Sequence, residues 1–234
     1  MCGWRAASRR PSPRARKISL VCRGGAGDVI DLGAGFGMHS IPLARAGRRV
    51  FAVDISPLML AQLRSLSDGL DVTTSVGDLT RFAEHLPRGW TTDLILCMGD
   101  TLTHLADEAA VVRLARAVGT ALSRGGRFIA TFRDYTRLPE GAARFIPVRS
   151  DSNRILTCFL EAADTKVLVH DIVHERLDER WVMRVGSYEK LRLSPEWVRS
   201  RFEESGMRAS LREGPRGMTM LLADAGRATD GPDK

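Results

Sequence analysis

The feature that most limits how this chain can fold is the stretch from Val29 to Ala44, which reads VIDLGAGFGMHSIPLA. It opens with an apolar run short enough for a buried parallel strand. The run breaks at three glycines and resumes with the apolar spacing of a helix. A strand, a glycine turn and a helix in this order are typical of the first turn of a nucleotide-binding fold. The glycines allow a tight reversal and a close approach of the backbone to a ligand.

The spacing of the glycines indicates which ligand the turn accepts. Gly33, Gly35 and Gly37 follow a G-x-G-x-G pattern, whereas the fingerprint for dinucleotides is G-x-G-x-x-G. An acidic residue, Asp31, lies two positions before the first glycine. An oxidoreductase that binds NAD therefore remains only a weak alternative, and a merely flexible turn is the structural alternative.

The segment from Asp31 to Gly37, DLGAGFG, resembles motif I of the class I S-adenosylmethionine-dependent methyltransferases. The resemblance implies S-adenosylmethionine as cofactor, with Asp31 and the three glycines around it. The next apolar run ends at Asp54, which resembles the acid that holds the ribose hydroxyls in that family. A carboxylate suits this role because it can accept hydrogen bonds from two adjacent hydroxyls. The alternative role of Asp54 is a helix cap before Ser56 and Pro57.

The pattern of the remaining chain predicts an α/β fold. Strands and helices alternate as far as Phe132, with a turn at residues 124–126 before a fifth strand that starts at Arg127. Extended segments separated by turn signals then follow over residues 144–149, 154–162, 166–177 and 180–193. A helix over residues 194–205 and two strands over 207–212 and 218–223 complete the chain. We therefore expect a Rossmann-like, seven-stranded, mostly parallel sheet with helices on both faces and an inserted antiparallel β meander.

The charge distribution divides the chain into three parts. The 234 residues carry 35 Lys and Arg against 28 Asp and Glu, and seven of the basic residues lie in residues 1–27, which contain no acid. Residues 1–26 are predicted to be a disordered basic leader, with an RNA-binding arm, a transit peptide or a mis-set start as alternatives. Residues 27–224 form the predicted methyltransferase domain, with the insert at about 139–193, and residues 225–234 a flexible tail.

Two further segments carry cofactor residues by resemblance. Asp78, followed by Leu79 after the third strand, matches the acid that accepts from the adenine amine; helix capping is its alternative role. The loop after strand four, MGDTLTHL, resembles the G-N-S-x-x-H-L loop of the glycine and sarcosine N-methyltransferase group. That match implies that Met98 and His104 contact the cofactor and that Asp100 faces the acceptor. Asp100 replaces a neutral Asn, so a cationic or hydroxyl-bearing acceptor is favoured over a carboxylate.

Substrate contacts are expected at the same edge of the sheet. Arg133 and Tyr135 follow strand five, and Tyr188 lies in the meander; loop solvation and core packing are their respective alternatives. His170 and His174 are four apart in a predicted strand, which places them too far apart to share an ion, so no metal site is predicted.

The sequence therefore predicts a methyltransferase that acts on a nitrogen or oxygen of a small molecule. Asp100 and His104 are the only candidates for assisting proton transfer. Beyond residue 27 the 28 basic residues equal the 28 acids, so nucleic acid is an improbable partner. No apolar run is long enough for a membrane helix, and the four cysteines show no paired spacing, so a cytoplasmic location is expected. The alternative is an RNA-associated methyltransferase or a non-catalytic cofactor-binding module that uses the basic leader.

Overall fold

A computed structural model describes residues 27–226 of the chain. The predicted leader, residues 1–26, and residues 227–234 of the predicted tail lie outside the described residues. Within them, the chain forms two separate sheets.

The main sheet has seven strands in the order β3-β2-β1-β4-β5-β11-β10. The pairs β1–β2, β2–β3, β1–β4 and β4–β5 are parallel, whereas β11 is antiparallel to both β5 and β10. This confirms the predicted mostly parallel sheet. Its strands are β1 (Asp28–Leu32), β2 (Val50–Asp54), β3 (Val72–Val76), β4 (Thr92–Cys97), β5 (Leu122–Phe132), β10 (Met207–Glu213) and β11 (Thr219–Ala225).

Helices cover both faces of this sheet because alternate residues of its buried strands point to opposite sides. Ile30 packs in the hydrophobic cluster that includes residues of helices α3 (Glu108–Ala121) and α4 (Pro195–Glu204). Its neighbour Val29 packs in a different cluster, which includes residues of helix α1 (Ser40–Arg45). No helix in residues 27–226 is long and apolar enough to cross a membrane. The helices are α1 (Ser40–Arg45), α2 (Pro57–Leu66), α3 (Glu108–Ala121) and α4 (Pro195–Glu204).

The second sheet is an antiparallel meander of four strands, and it lies in the chain between β5 and α4. Each strand pairs with the next, as the turn signals predicted. The strands are β6 (Phe145–Ser150), β7 (Arg154–Ala162), β8 (Lys166–Leu177) and β9 (Arg180–Leu191). The predicted insertion of an antiparallel meander is confirmed.

One strand begins earlier than the sequence predicted. A turn was expected at residues 124–126, with the strand starting at Arg127, but β5 already pairs at Leu122 with Thr92. The register then shifts, so that Arg127 pairs with Leu94, and Gly125 in between has a φ of +73°. The glycines therefore form an irregularity inside the strand, because paired residues continue on both sides of it.

Candidate active site

The glycine turn after β1 has the backbone geometry that its composition predicted. Gly33, Gly35 and Gly37 have φ values of +72°, +55° and +91°, a region that other residues rarely adopt. A Cβ at Gly33 would collide with the side chain of Thr101, and one at Gly37 would collide with Leu63. At Gly35, by contrast, a Cβ would meet nothing within 4 Å. Gly35 therefore lies beside open space that a ligand can enter.

Asp31 supports this turn from inside the protein. Its side chain is only 1% exposed, and Oδ2 accepts a hydrogen bond of 2.6 Å from the hydroxyl of Ser40, the first residue of α1. Burial raises the pKa of the Asp31 carboxyl, and the hydrogen bond from Ser40 opposes that rise. In this position the side chain joins β1 to α1 and has almost no exposed surface, and its contact with a cofactor stays a prediction.

Asp54 lies at the end of β2, next to the open side of the turn. Its Oδ2 accepts from the backbone N–H of Gly35 and its Oδ1 from the backbone N–H of Ser56, each at 2.8 Å. A carboxylate can accept about four hydrogen bonds, so acceptor positions remain on Asp54 for the hydroxyls of a ligand. Both the cofactor role and the capping role predicted for Asp54 are compatible with this geometry.

Asp78 follows β3 at the same edge of the sheet and is exposed. Its Oδ1 accepts from the N–H of Thr80 at 2.8 Å and from its hydroxyl at 2.9 Å, so the capping role is observed. Within residues 27–226, Oδ2 makes no hydrogen bond and is available to a ligand. Leu79 is half-buried and packs against the main core.

The loop after β4 is held by β5 and by the glycine turn. The N–H of Gly99 donates to the hydroxyl of Thr131, and the N–H of Asp100 donates to its carbonyl, both at 2.9 Å. Asp100 has a φ of +76°, a conformation that Asp and Asn tolerate better than other side chains do. Met98, buried, accepts at its carbonyl from the hydroxyl of Thr101 at 2.7 Å. The loop is thus rigidly placed at the carboxyl edge of the sheet.

Asp100 is paired inside the protein, and its predicted role towards an acceptor stays a prediction. It is 5% exposed, and its Oδ1 accepts from the backbone N–H of Arg133 at 2.8 Å. Its Oδ2 accepts from the hydroxyl of Tyr135 at 2.9 Å and from Nζ of Lys190 at 2.5 Å. Lys190, in β9, is itself only 8% exposed. The charge of Asp100 is therefore balanced inside the protein, and this carboxylate is poorly placed to act as a base.

Tyr135 is likewise an internal residue. Its ring packs with Leu160, Val167 and Val169 of the second sheet, and burial raises the pKa of its hydroxyl far above the usual value. The hydroxyl thus stays protonated and donates to Asp100. This side chain joins the two sheets and is almost fully covered, and the substrate contact at Tyr135 stays a prediction.

The structure brings two predicted residues, His104 and Tyr188, into direct contact. Their rings stack with centroids 5.4 Å apart and planes at 28°. Burial, and secondarily the charge of Lys190, lowers the pKa of His104, so its ring is neutral near pH 7. One side of His104 remains exposed. These two rings form a wall between the loop after β4 and the second sheet.

Arg133 is half-buried beside this wall. Among residues 27–226 its guanidinium has no hydrogen-bonded or ion-paired partner, since only its backbone N–H is engaged. Its charge lowers the pKa of the Tyr135 hydroxyl and of the Cys158 thiol, opposing the larger effect of burial. A contact between Arg133 and the substrate stays a prediction, and this geometry is compatible with it.

Three residues of the site were missed from the sequence: Lys190, Asp171 and Cys158. The alternation of β9 could have found Lys190, because residues two apart in a strand share a face and Tyr188 was already a candidate. Asp171 and Cys158 are cross-strand partners whose register only the structure provides. Within the described residues no three His, Cys, Asp or Glu side chains form a metal-binding cluster.

Solved structures share this architecture over nearly the whole chain. An S-adenosylmethionine-dependent methyltransferase from Clostridium acetobutylicum ATCC 824 superimposes with a TM-score of 0.74 at 19% identity, covering 91% of both chains. An amino pentose methyltransferase from Micromonospora echinaspora gives a TM-score of 0.76 at 19% identity, covering 91% of this chain and 90% of that one. The fold is therefore that of the Rossmann-like methyltransferases.

Sequence comparison finds methyltransferases as relatives of part of the chain. Residues 29–126 match the family model described as a methyltransferase domain. A ubiquinone biosynthesis O-methyltransferase from Xanthomonas euvesicatoria pv. vesicatoria (strain 85-10) is 34% identical over 106 residues, which are 44% of this chain and 42% of that protein. A glycine/sarcosine N-methyltransferase from Parasynechococcus marenigrum (strain WH8102) is 34% identical over 128 residues, which are 54% and 45% respectively. The match to the methyltransferase domain is thus confined to residues 29–126, and the chain spans less than half the length of these curated relatives.

Proposed function

We propose that the protein transfers a methyl group from S-adenosylmethionine to a nitrogen or oxygen of a small molecule. The observation that carries the proposal is the open space at Gly35, directly beside the carboxylate of Asp54. A side chain at Gly35 would fill this space, and the spare acceptor positions of Asp54 suit a pair of ribose hydroxyls. The chain therefore fits the cofactor of its family.

Each residue of the site has a distinct proposed task. Asp54 accepts from the ribose hydroxyls, Asp78 accepts from the adenine amine through Oδ2, and the Met98 backbone lies along the methionyl part. His104 and Tyr188 form the wall between the cofactor and the acceptor. The bound cofactor supplies a methyl group on a positively charged sulfur. The main contribution of the chain is then to hold the acceptor in line with that group and to exclude water.

The second sheet supports a small-molecule acceptor. Its strand β9 contacts the loop after β4 through the Lys190–Asp100 ion pair and the Tyr188–His104 stack, so the second sheet lies against the candidate site. The sequence relatives are named as a ubiquinone biosynthesis O-methyltransferase and a glycine/sarcosine N-methyltransferase, and the structural neighbours include an amino pentose methyltransferase and a sugar N-methyltransferase. These names support a small acceptor for this chain.

Calorimetry with S-adenosylhomocysteine, the demethylated cofactor, tests the cofactor half of the proposal. Asp54→Ala should weaken binding by about 1–3 kcal/mol, because hydrogen bonds to a charged acceptor are lost. Asp68→Ala, which removes an exposed acid after α2, is the matched control and should leave the affinity unchanged. Binding of NAD without binding of S-adenosylhomocysteine would overturn the proposal.

A further inference from the structure

Asp171 lies on the face of the second sheet that also carries Tyr188 and Lys190. In the antiparallel register Asp171 of β8 is opposite Cys158 of β7 and Gly186 of β9. Sγ of Cys158 donates to Oδ1 of Asp171 at 2.9 Å, and the charge of Asp171 acts on the nearby hydroxyl of Tyr188, whose pKa is raised by burial and by this charge. The carboxylate of Asp171 is thus next to the wall of the candidate site.

Both neighbours of Asp171 are neutral groups. Burial raises the pKa of the Cys158 thiol to about 12 and that of the Tyr188 hydroxyl to about 12. Each group therefore keeps its proton near neutral pH, and the thiol donates to Asp171. The thiol uses one of about four acceptor positions of the carboxylate, and neither group brings a compensating charge.

Asp171 contrasts with the other carboxylate at this side of the site. Asp100 is ion-paired with Lys190, whereas no Lys, Arg or His among residues 27–226 lies within ion-pair distance of Asp171. The side chain of Asp171 is half-buried. A partly desolvated carboxylate without a cation is costly to maintain, and a cationic ligand would offset that cost.

Open space adjoins this carboxylate. Gly186 is directly opposite Asp171, and a Cβ built at Gly186 would meet nothing within 4 Å. The φ of Gly186 is not positive, so its backbone conformation would also suit a residue with a side chain. The strand geometry therefore does not explain why a glycine is at this position. Gly186 is exposed, so this open space is accessible from solvent and adjoins a carboxylate that has acceptor positions to spare.

We propose that Asp171 binds a protonated amino group of the methyl acceptor, so that the substrates of this protein are amine-bearing small molecules. The inference rests on the proposed function, because it assigns the acceptor side of that same site. The ammonium group donates to the free acceptor positions of Asp171, and the molecule extends over Gly186 toward the His104–Tyr188 wall. The hydrogen bond from Cys158 holds the carboxylate in place. Neutral analogues lack the charge that Asp171 would balance.

The test uses the full chain, radiolabelled S-adenosylmethionine and a small-metabolite extract divided on a cation exchanger into retained and unretained fractions. Wild type should label compounds of the retained, cationic fraction. Asp171→Asn should lower this transfer at least about tenfold, which is the scale for losing a charge-assisted hydrogen bond. It should bind S-adenosylhomocysteine as wild type does, which shows that the variant is folded.

Two more variants sharpen the experiment. Glu161→Gln neutralises an acid of β7 that pairs with His170 on the opposite face of the sheet, and transfer should be unchanged. Gly186→Val fills the open space beside Asp171 and should reduce transfer to bulky amines more than transfer to small ones. Label entering only the unretained fraction, or full activity of Asp171→Asn, would overturn the inference. A wild type that binds no S-adenosylhomocysteine would instead overturn the proposed function itself.

Discussion

At the scale of single residues, three aspartates near the carboxyl edge of the main sheet have different environments. Asp31 is buried against Ser40, Asp54 accepts from two backbone N–H groups, and Asp100 is neutralised by Lys190. Of these three, Asp54 combines open acceptor positions with the open space at Gly35, and the exposed Asp78 at the same edge also keeps Oδ2 free within residues 27–226. The chemistry available to a carboxylate is therefore determined by its neighbours and not by its place in a motif.

The glycine turn provides a prediction with a matched pair of variants. Gly33→Ala should destabilise the protein strongly, because its Cβ would collide with Thr101 while φ stays positive. Gly35→Ala meets no atom, so its stability cost should be about 1 kcal/mol, from the left-handed conformation alone. Its binding of S-adenosylhomocysteine should nevertheless be weaker than that of wild type. Thermal unfolding and calorimetry measure the two effects, and equal unfolding losses in both variants would contradict the prediction.

His104 provides a prediction about pH. NMR titration should give a pKa below the ordinary value of about 6.5 for histidine, because burial and Lys190 disfavour the charged ring. The unfolded chain therefore binds this proton more tightly than the folded one does. The stability associated with a neutral His104 is present above about pH 6.5 and is lost as the pH falls below it.

The double variant Asp100→Asn with Lys190→Met tests the cause of this shift. Lys190 lowers the pKa of His104 by more than Asp100 raises it, so removal of both charges should raise the pKa toward the ordinary value. A pKa that falls further in the double variant would contradict the assigned cause.

At the scale of elements, strand β9 attaches the second sheet to the loop after β4. Lys190 reaches Asp100, Tyr188 stacks on His104, and the guanidinium of Arg192 donates to the backbone carbonyls of Tyr135 and Thr136, at 3.1 Å each. Charge, ring stacking and backbone contacts therefore join the two sheets at the candidate site. The position of the His104–Tyr188 wall therefore depends on these contacts of β9.

The buried ion pair at this attachment provides a stability prediction. Lys190→Met should cost about 3–5 kcal/mol, because it leaves Asp100 buried without its cation. For a chain of this size the melting temperature should fall by about 6–20 °C. The double variant with Asp100→Asn should recover most of the loss, since no charge is then left unpaired.

Lys166→Met is the control for that experiment. Lys166 of β8 pairs with Glu189 of β9 at 2.5 Å, but the side chains are 34% and 60% exposed. An exposed pair contributes about 0–1 kcal/mol. Equal losses for Lys166→Met and Lys190→Met would mean that burial of the Asp100 pair has no special importance.

At the scale of the whole molecule, the charge is unevenly distributed along the chain. The formal net charge is +7, which equals the seven basic residues within residues 1–27. The remaining residues carry equal numbers of basic and acidic side chains. Any attraction for nucleic acid should therefore come from the beginning of the chain rather than from the body that holds the site.

This distribution predicts the outcome of a competition between acceptors. In reactions with radiolabelled S-adenosylmethionine, the full chain should label a small-metabolite extract and not total RNA. Any RNA binding should weaken steeply as salt rises, because it depends on phosphate contacts, whereas transfer to small molecules should change little. Label that enters RNA alone would contradict a small-molecule acceptor.

The sequence by itself determined the order of the elements and the residues proposed for the cofactor half of the site. Buried strands and amphipathic helices have periods that can be read directly, and positive φ at Gly33, Gly35 and Gly37 follows from a tight turn between them. Asp54 and Asp78 were proposed for the same local reason, because Asp54 is the last residue of β2 and Asp78 follows the end of β3 after one intervening residue. The bounds of β7 and β8 agree with the segments read from turn signals.

Only the tertiary structure decided the acceptor half. Asp100 meets Lys190 across 90 positions of sequence, and Asp171 meets Cys158 and Gly186 through the register of three strands. Periodicity assigns a side chain to a face, but it does not say which distant side chain will lie against that face. The charge state and accessibility of a carboxylate depend on those distant neighbours, since burial and a paired cation act through space and not along the chain.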